Sequence, residues 1–145
     1  MKDGMYLVRM YEPEADYAMI AEWAQGHGRS APPAVILPKL GIIVQEVTEH
    51  VRKDVAALWL YMDNSVGVCF AERSVTLPGL SMKRAKAALL RGLDCLKQLA
   101  ATHGYGVMLL RTYPAMARFV KPLGFHEDER EIVCLTALTK GASHE

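Results

Sequence analysis

Ser81, Lys83, Arg84 and Lys86 crowd the opening of a long segment with an apolar stripe. Met82, Ala85, Leu89, Leu93, Leu96 and Ala100 recur at steps of three and four residues, which predicts a helix over 82–103 with Ser81 as its N-cap. The positive end of a helix dipole is an unfavourable place for three cations, so their presence there points to an anion that they would bind. The residue types give no matching case for a metal. Cys69, Cys95 and Cys134 are widely spaced, and neither they nor the five scattered histidines show zinc-ligand spacing. The cysteines read as reduced thiols in apolar surroundings.

Other elements must hold that helix in place. A strand is expected over 6–11 and a first helix from Pro13 to about Gln25, opened by proline and acidic residues and ended by Gly26 and Gly28. Ser30, Pro32, Pro33 and Pro38 make 29–39 irregular, the longest connection in the chain. Strands are expected over 41–47, 55–62 and 66–75, with a longer charged turn over 48–54 and a tight turn at Asp63-Asn64-Ser65. After Pro78-Gly79 and the long helix, the apolar run 105–110 suits a strand buried on both faces. A short helix from Pro114 is stopped by Pro122 and Gly124, and 132–138 reads as a last strand.

This order implies an α/β (α+β) fold: a mixed, mostly antiparallel sheet with helices on both faces and one parallel β-α-β crossover. At 145 residues the chain reads as one domain, with its core over about 6–138. Hydrophobic residues at 51% and charged residues at 23% exclude wholesale disorder. A formal net charge of +1 argues against a polyanion-binding face, so no nucleic-acid partner is expected. No apolar run approaches the ~20 residues that span a bilayer, and the first residues lack a secretory apolar region. The expectation is a cytoplasmic protein with no membrane partner.

The element order resembles that of the GNAT superfamily of N-acetyltransferases, and local motifs agree. In that family the strand before the long helix ends in Leu-x-Val-x-Pro, and a Gln/Arg-x-x-Gly-x-Gly/Ala loop opens the helix ahead of a Leu-Leu pair. Placing Pro78 on the family's proline, or Leu89-Leu90 on its leucine pair, puts the loop's first residue on Ser81 either way. Lys121-Pro122-Leu123-Gly124-Phe125 is similar to the family's Lys-x-x-Gly-Phe ending. The segment from Leu37 to Phe125 also resembles small acetyltransferase-like proteins carried by tailed bacteriophages, some of them structural virion components.

The resemblance implies acetyl-CoA as co-substrate, no metal, and an unidentified amine as acceptor. Its pyrophosphate loop is degenerate here, because the two glycine positions fall on Arg84 and Lys86. Lys83, Arg84, Lys86 and the Ser81 hydroxyl would then supply charge and a hydrogen bond where the family uses close backbone amides. The pantetheine arm would lie between the strand ending at Pro78 and the strand over 105–111, along the backbone of Val75, Thr76 and Leu77, with Leu109, Arg111 and Phe119 lining it. The family's proton-donating tyrosine falls on Val120 beside Phe119, and the nearest phenol is Tyr113. Glu72 lies where some members place a general base, and Glu46 is a second carboxylate candidate. The irregular segment around Pro32 would cover the acceptor side.

Two functions follow from this reading. One is an acetyl-CoA-dependent N-acyltransferase acting by direct attack of the amine. The alternative is a GNAT-fold protein without the chemistry, serving as a binding or assembly component, as in a bacteriophage. The exposed strand edges common in this architecture also make a homodimer an expectation.

Overall fold

The computed structural model of the chain describes residues 4–131, 133, 135 and 137. The elements run β1 (Met5–Met10), α1 (Pro13–Gly26), β2 (Gly41–Thr48), β3 (Val51–Met62), β4 (Val68–Thr76), α2 (Met82–Thr102), β5 (Val107–Leu110) and α3 (Pro114–Phe119), with 3-10 turns at Ala34–Ile36 and Lys121–Leu123. The strand expected over 132–138 falls largely outside the described residues.

The five strands form one sheet in the order β1-β2-β3-β4-β5; the first three pairings are antiparallel and β4 runs parallel to β5. The alternation of side chains along β3 divides the core. Ala56, Leu58 and Leu60 face one way, with Ile42, Val44, Cys69 and Ala71, and are covered by Ala88, Leu93, Leu96 and Ala100 of α2. Ala57 and Trp59 face the other way, with Ile43 and Val75, beneath Ile20 and Trp23 of α1 and beside Tyr11 and Leu37. Helices therefore cover both faces, as the element order predicts. Gly92 lets α2 lie close to the sheet, since a Cβ there would come within 2.4 Å of Leu58.

Three expectations are corrected. The segment 48–54 is no long turn: β2 continues to Thr48, Glu49 and His50 turn with φ of +42° and +76°, and β3 begins at Val51. Two consecutive left-handed residues match the twist of the flanking strands, so a two-residue hairpin suffices without glycine. The strand buried on both faces is β3, whose residues 55–60 are all buried, whereas β5 is short and half exposed. Among the described residues β5 has a neighbour on one side only, and Val107 and Leu109 on it remain exposed. The third correction is that β4 starts at Val68 rather than 66, after a turn in which Asp63 Oδ1 accepts hydrogen bonds from the Ser65 N–H and hydroxyl.

Candidate functional site

β4 and β5 keep company for only four residues. Their register runs from Val68 beside Val107 to Ala71 beside Leu110 and then stops, while β4 continues to Thr76 along β3 alone. The β3–β4 register also slips where the strands part: Trp59 faces Glu72, yet Ala57 faces Val75, so two residues of β4, Arg73 and Ser74, oppose one of β3. This is a β-bulge, with Arg73 at φ +62°, and bulges bend a strand away from its neighbours.

Beyond the bulge, Leu77 N–H donates to Val55 O at 2.8 Å. Antiparallel alternation then turns the N–H and C=O of Thr76 away from β3, toward the gap left by β5. Of the three residues expected to offer backbone there, Leu77 thus uses its amide on β3, Val75 is largely buried in the α1-side core, and Thr76 faces outward. Its carbonyl is already engaged: His27 Nε2, at the end of α1, lies 2.8 Å from Thr76 O.

Two hollows meet at the bulge, and Ser74 borders both. The first is a narrow slot of about 10 Å³, room for one water, in the parting of the strands, walled by Leu58, Ala71, Leu93, Leu110 and Met116, with Trp59 and Glu72 at its α1 side. The second, about 140 Å³, lies wholly on the α1 side between Ile20, Ala24, the Arg29–Pro32 segment and residues 73–75. The irregular stretch is anchored over it by Tyr17, whose hydroxyl donates to Pro32 O at 2.7 Å, and by Tyr61, which donates to Ile36 O at 3.0 Å. Burial pushes the Tyr61 phenol above its ordinary range, while nearby Arg73 pulls the other way.

A tight turn delivers the chain from β4 to α2. Pro78 and Gly79 occupy its centre, Gly79 has φ +82°, and Leu80 N–H reaches back to Leu77 O, the geometry of a type II turn. Ser81 caps α2 as expected, accepting from the Arg84 N–H at 3.3 Å, and the first turn holds no acidic residue. The three cations of that turn diverge in use. Arg84 turns to β2 and grips Glu46 with two hydrogen bonds of 2.9 and 2.5 Å, and Tyr6 donates to the same carboxylate at 3.0 Å. The Arg84 guanidinium holds the buried Glu46 carboxyl below its ordinary range, against the opposing effect of burial. Glu46 is therefore an ion-pair partner, three of its lone pairs taken, without the basicity of a general base. Lys86 turns instead to α3, its Nζ 5.5 Å from the Phe119 ring centroid. Lys83 is exposed on the same turn.

Glu72 stands half-buried beside the slot with Arg111 Nε at 3.6 Å, and Arg111 also lies over the Phe70 ring. Tyr113 forms the N-cap of α3, is 78% exposed, and lines neither hollow. Val120 is buried in the α2-side core, so the position of the family's tyrosine serves packing. Burial raises the pKa of the Cys69 and Cys95 thiols, which keeps them protonated and inert. Among the described residues no group of three or more His, Cys, Asp or Glu could hold a metal ion, and no helix is long and apolar enough to cross a membrane. Sequence reasoning missed His27, Arg29, Arg73 and Ser74. A bulge leaves no pattern in composition, and contacts between α1 and β4 span 49 residues.

No protein-family model matches the sequence, and no curated protein matches it. Solved structures match it in shape. An acetyltransferase from Trypanosoma brucei superposes with a TM-score of 0.61 at 19% identity, over 91% of this chain and 100% of its own. Glucosamine-6-phosphate N-acetyltransferase from Arabidopsis thaliana gives 0.62 at 11% identity, over 92% and 99%. AAC(6')-Iy, solved with the bisubstrate analogue CoA-S-monomethyl-acetylneamine, gives 0.61 at 15% identity, over 92% and 99%. The parted parallel strands, the helix between them and these superpositions agree: this chain has the fold of the GNAT N-acetyltransferases.

Proposed function

We propose that this protein is an N-acyltransferase that moves an acyl group, acetyl in the simplest case, from coenzyme A to an amine. The observation that carries this reading is the end of β4–β5 pairing at Ala71 and Leu110, which leaves the Thr76 backbone facing a gap beside the N-terminal turn of α2. A coenzyme A bound there would have its pantetheine arm along Thr76 and its phosphates near Ser81, Lys83 and Lys86. Arg84, its guanidinium committed to Glu46 and its N–H to the Ser81 hydroxyl, would make no direct contact. The slot is narrow, so an arm entering it would press on Met116, a flexible side chain on a short helix that can yield.

In the reaction the amine nitrogen attacks the thioester carbonyl carbon; a C–N bond forms, the C–S bond breaks, one proton leaves nitrogen and one ends on sulfur. Glu72 borders the slot from the acceptor side and is placed to take the first proton, directly or through a water. Tyr113 is the phenol proposed to supply the second, at a position open enough for solvent to share the task. The relatives of similar shape described as acetyltransferases support acyl transfer in general, and the CoA analogue bound to one of them supports coenzyme A as donor.

A second reading, a GNAT-fold binding component without turnover, draws on the commitment of Arg84 to Glu46 and of the Thr76 carbonyl to His27. Thermal unfolding with acetyl-CoA, followed by acetyl transfer to a panel of amines, separates the two. A true site filled at about 100 times its dissociation constant stabilises the fold by about 2.7 kcal/mol. Such a shift with turnover supports the enzyme, a shift without turnover supports the binding component, and no shift removes coenzyme A from both.

A further inference from the structure

Arg73 holds φ +62° in the body of β4, a left-handed conformation that a residue with a Cβ adopts rarely and at a cost. The bulge that imposes it also carries Arg73 to the rim of the 140 Å³ hollow, where Arg29 stands on the opposite segment. The hollow has an apolar floor of Ile20, Ala24 and Val75, all buried, and a polar rim of the two arginines with Ser30 and Ser74. Among the described residues no carboxylate lines it. Among the described residues neither Arg29 nor Arg73 forms an ion pair, and the neighbouring acids are engaged elsewhere: Asp16 with Arg9 at 2.8 Å, Glu72 with Arg111 at 3.6 Å. Two uncompensated guanidiniums above a low-dielectric floor form a site matched to an oxyanion, which they can meet with charge-assisted hydrogen bonds. Ser74 places this hollow next to the slot, one residue from Glu72 across the bulge.

Resting on the acyl-transfer reading, we propose that the acceptor is a small amine that also bears an oxyanion, a carboxylate or a phosphate, and that Arg29 and Arg73 bind that group while the amine points to the slot. The serine hydroxyls would complete the shell. Arg73 has the Tyr61 hydroxyl as a partner but no counter-charge, so an amine without the anion would leave both guanidinium charges uncompensated and would be selected against.

Matched probes test this without coenzyme A: O-phosphoethanolamine against ethanolamine, and β-alanine against β-alaninamide, with binding followed by NMR titration of the full chain. The anionic member of at least one pair should bind about tenfold or more tightly than its neutral twin, the scale of one charge-assisted hydrogen bond. The pair that discriminates tells phosphate from carboxylate. Arg29→Gln and Arg73→Gly should each erase that preference. Glycine accepts φ +62°, so Arg73→Gly should unfold at or above the wild-type temperature, which separates lost binding from lost structure. Equal binding of both twins in both pairs, no binding of either anionic probe, or a preference that survives both substitutions would overturn the proposal. Because these titrations contain no acyl donor, their failure leaves acyl transfer standing, and a failure of acetyl-CoA to bind leaves their result unchanged.

Discussion

His27 Nε2 lies 2.8 Å from the carbonyl oxygen of Thr76, so the end of α1 already occupies one of the two outward backbone groups of Thr76. A ligand amide arriving along β4 must displace the imidazole or settle for the Thr76 N–H. His27→Ala frees the carbonyl. An intramolecular hydrogen bond contributes about 0.5–1.5 kcal/mol, so the variant should bind acetyl-CoA about two- to tenfold more tightly by calorimetry. Unchanged affinity would mean that the arm makes no use of this carbonyl.

The Arg84–Glu46 pair gives the fold an acid limb. Glu46 has a folded pKa below its ordinary 4.5, chiefly through its hydrogen bonds from Arg84 and secondarily through Tyr6. A carboxyl with a depressed folded pKa stabilises the fold above its unfolded value and loses that contribution as pH falls through the folded one. Thermal midpoints measured downward from pH 6 should therefore decline below the ordinary glutamate range, and Glu46→Gln should flatten the decline. Asp16, depressed by Arg9, adds a second contribution of the same sign, so some slope should survive in Glu46→Gln.

Lys86 and Arg84 should separate in their effects. Lys86 lies over Phe119 of α3, whereas Arg84 is bound to Glu46 of β2. Lys86→Glu is expected to weaken acetyl-CoA binding by about tenfold or more at low salt, with the loss shrinking as salt screens the phosphates. Arg84→Gln should chiefly lower the unfolding temperature and leave affinity within a few-fold. The reverse pattern would place the phosphates on the β2 side.

Glu72→Gln should lower kcat for acetyl transfer by about a hundredfold, the lower end of what general-base catalysis supplies, and should leave acetyl-CoA binding within about twofold. Raising pH, which deprotonates the amine in solution, should recover part of the lost rate. Tyr113→Phe, at so exposed a position, should cost less than about tenfold, because water can deliver a proton there. Wild-type kcat in Glu72→Gln would assign the base elsewhere.

Much of the architecture is legible in the chain because local patterns match their elements. The Leu93, Leu96 and Ala100 part of the stripe, the Ser81 cap and the Pro78-Gly79 turn appear where their chemistry dictates, whereas Met82, at the stripe's expected start, is exposed. The errors lie where tertiary context overrides local pattern. Glu49 and His50 take left-handed geometry that neither residue type advertises. The apolar run at 105–110 suggests burial on both faces, yet Val107 stays half exposed. At the site, the charges near the α2 turn are visible in sequence, but their partners are not. Glu46 precedes Arg84 by 38 positions, and only the folding of β2 against α2 shows that this arginine is taken. The bulge at Arg73 and Ser74 likewise exists only in the register between two strands.

The claim on which all of this depends is that the gap beside Thr76 receives a thioester arm. Amide hydrogen exchange, with and without saturating acetyl-CoA, reads that gap directly. The account predicts slower exchange by about tenfold or more at the Thr76 N–H and in the first turn of α2, with β1 and the β2–β3 turn unaffected. Unaltered exchange at Thr76, with acetyl-CoA present at a concentration that saturates any measurable binding, would contradict it.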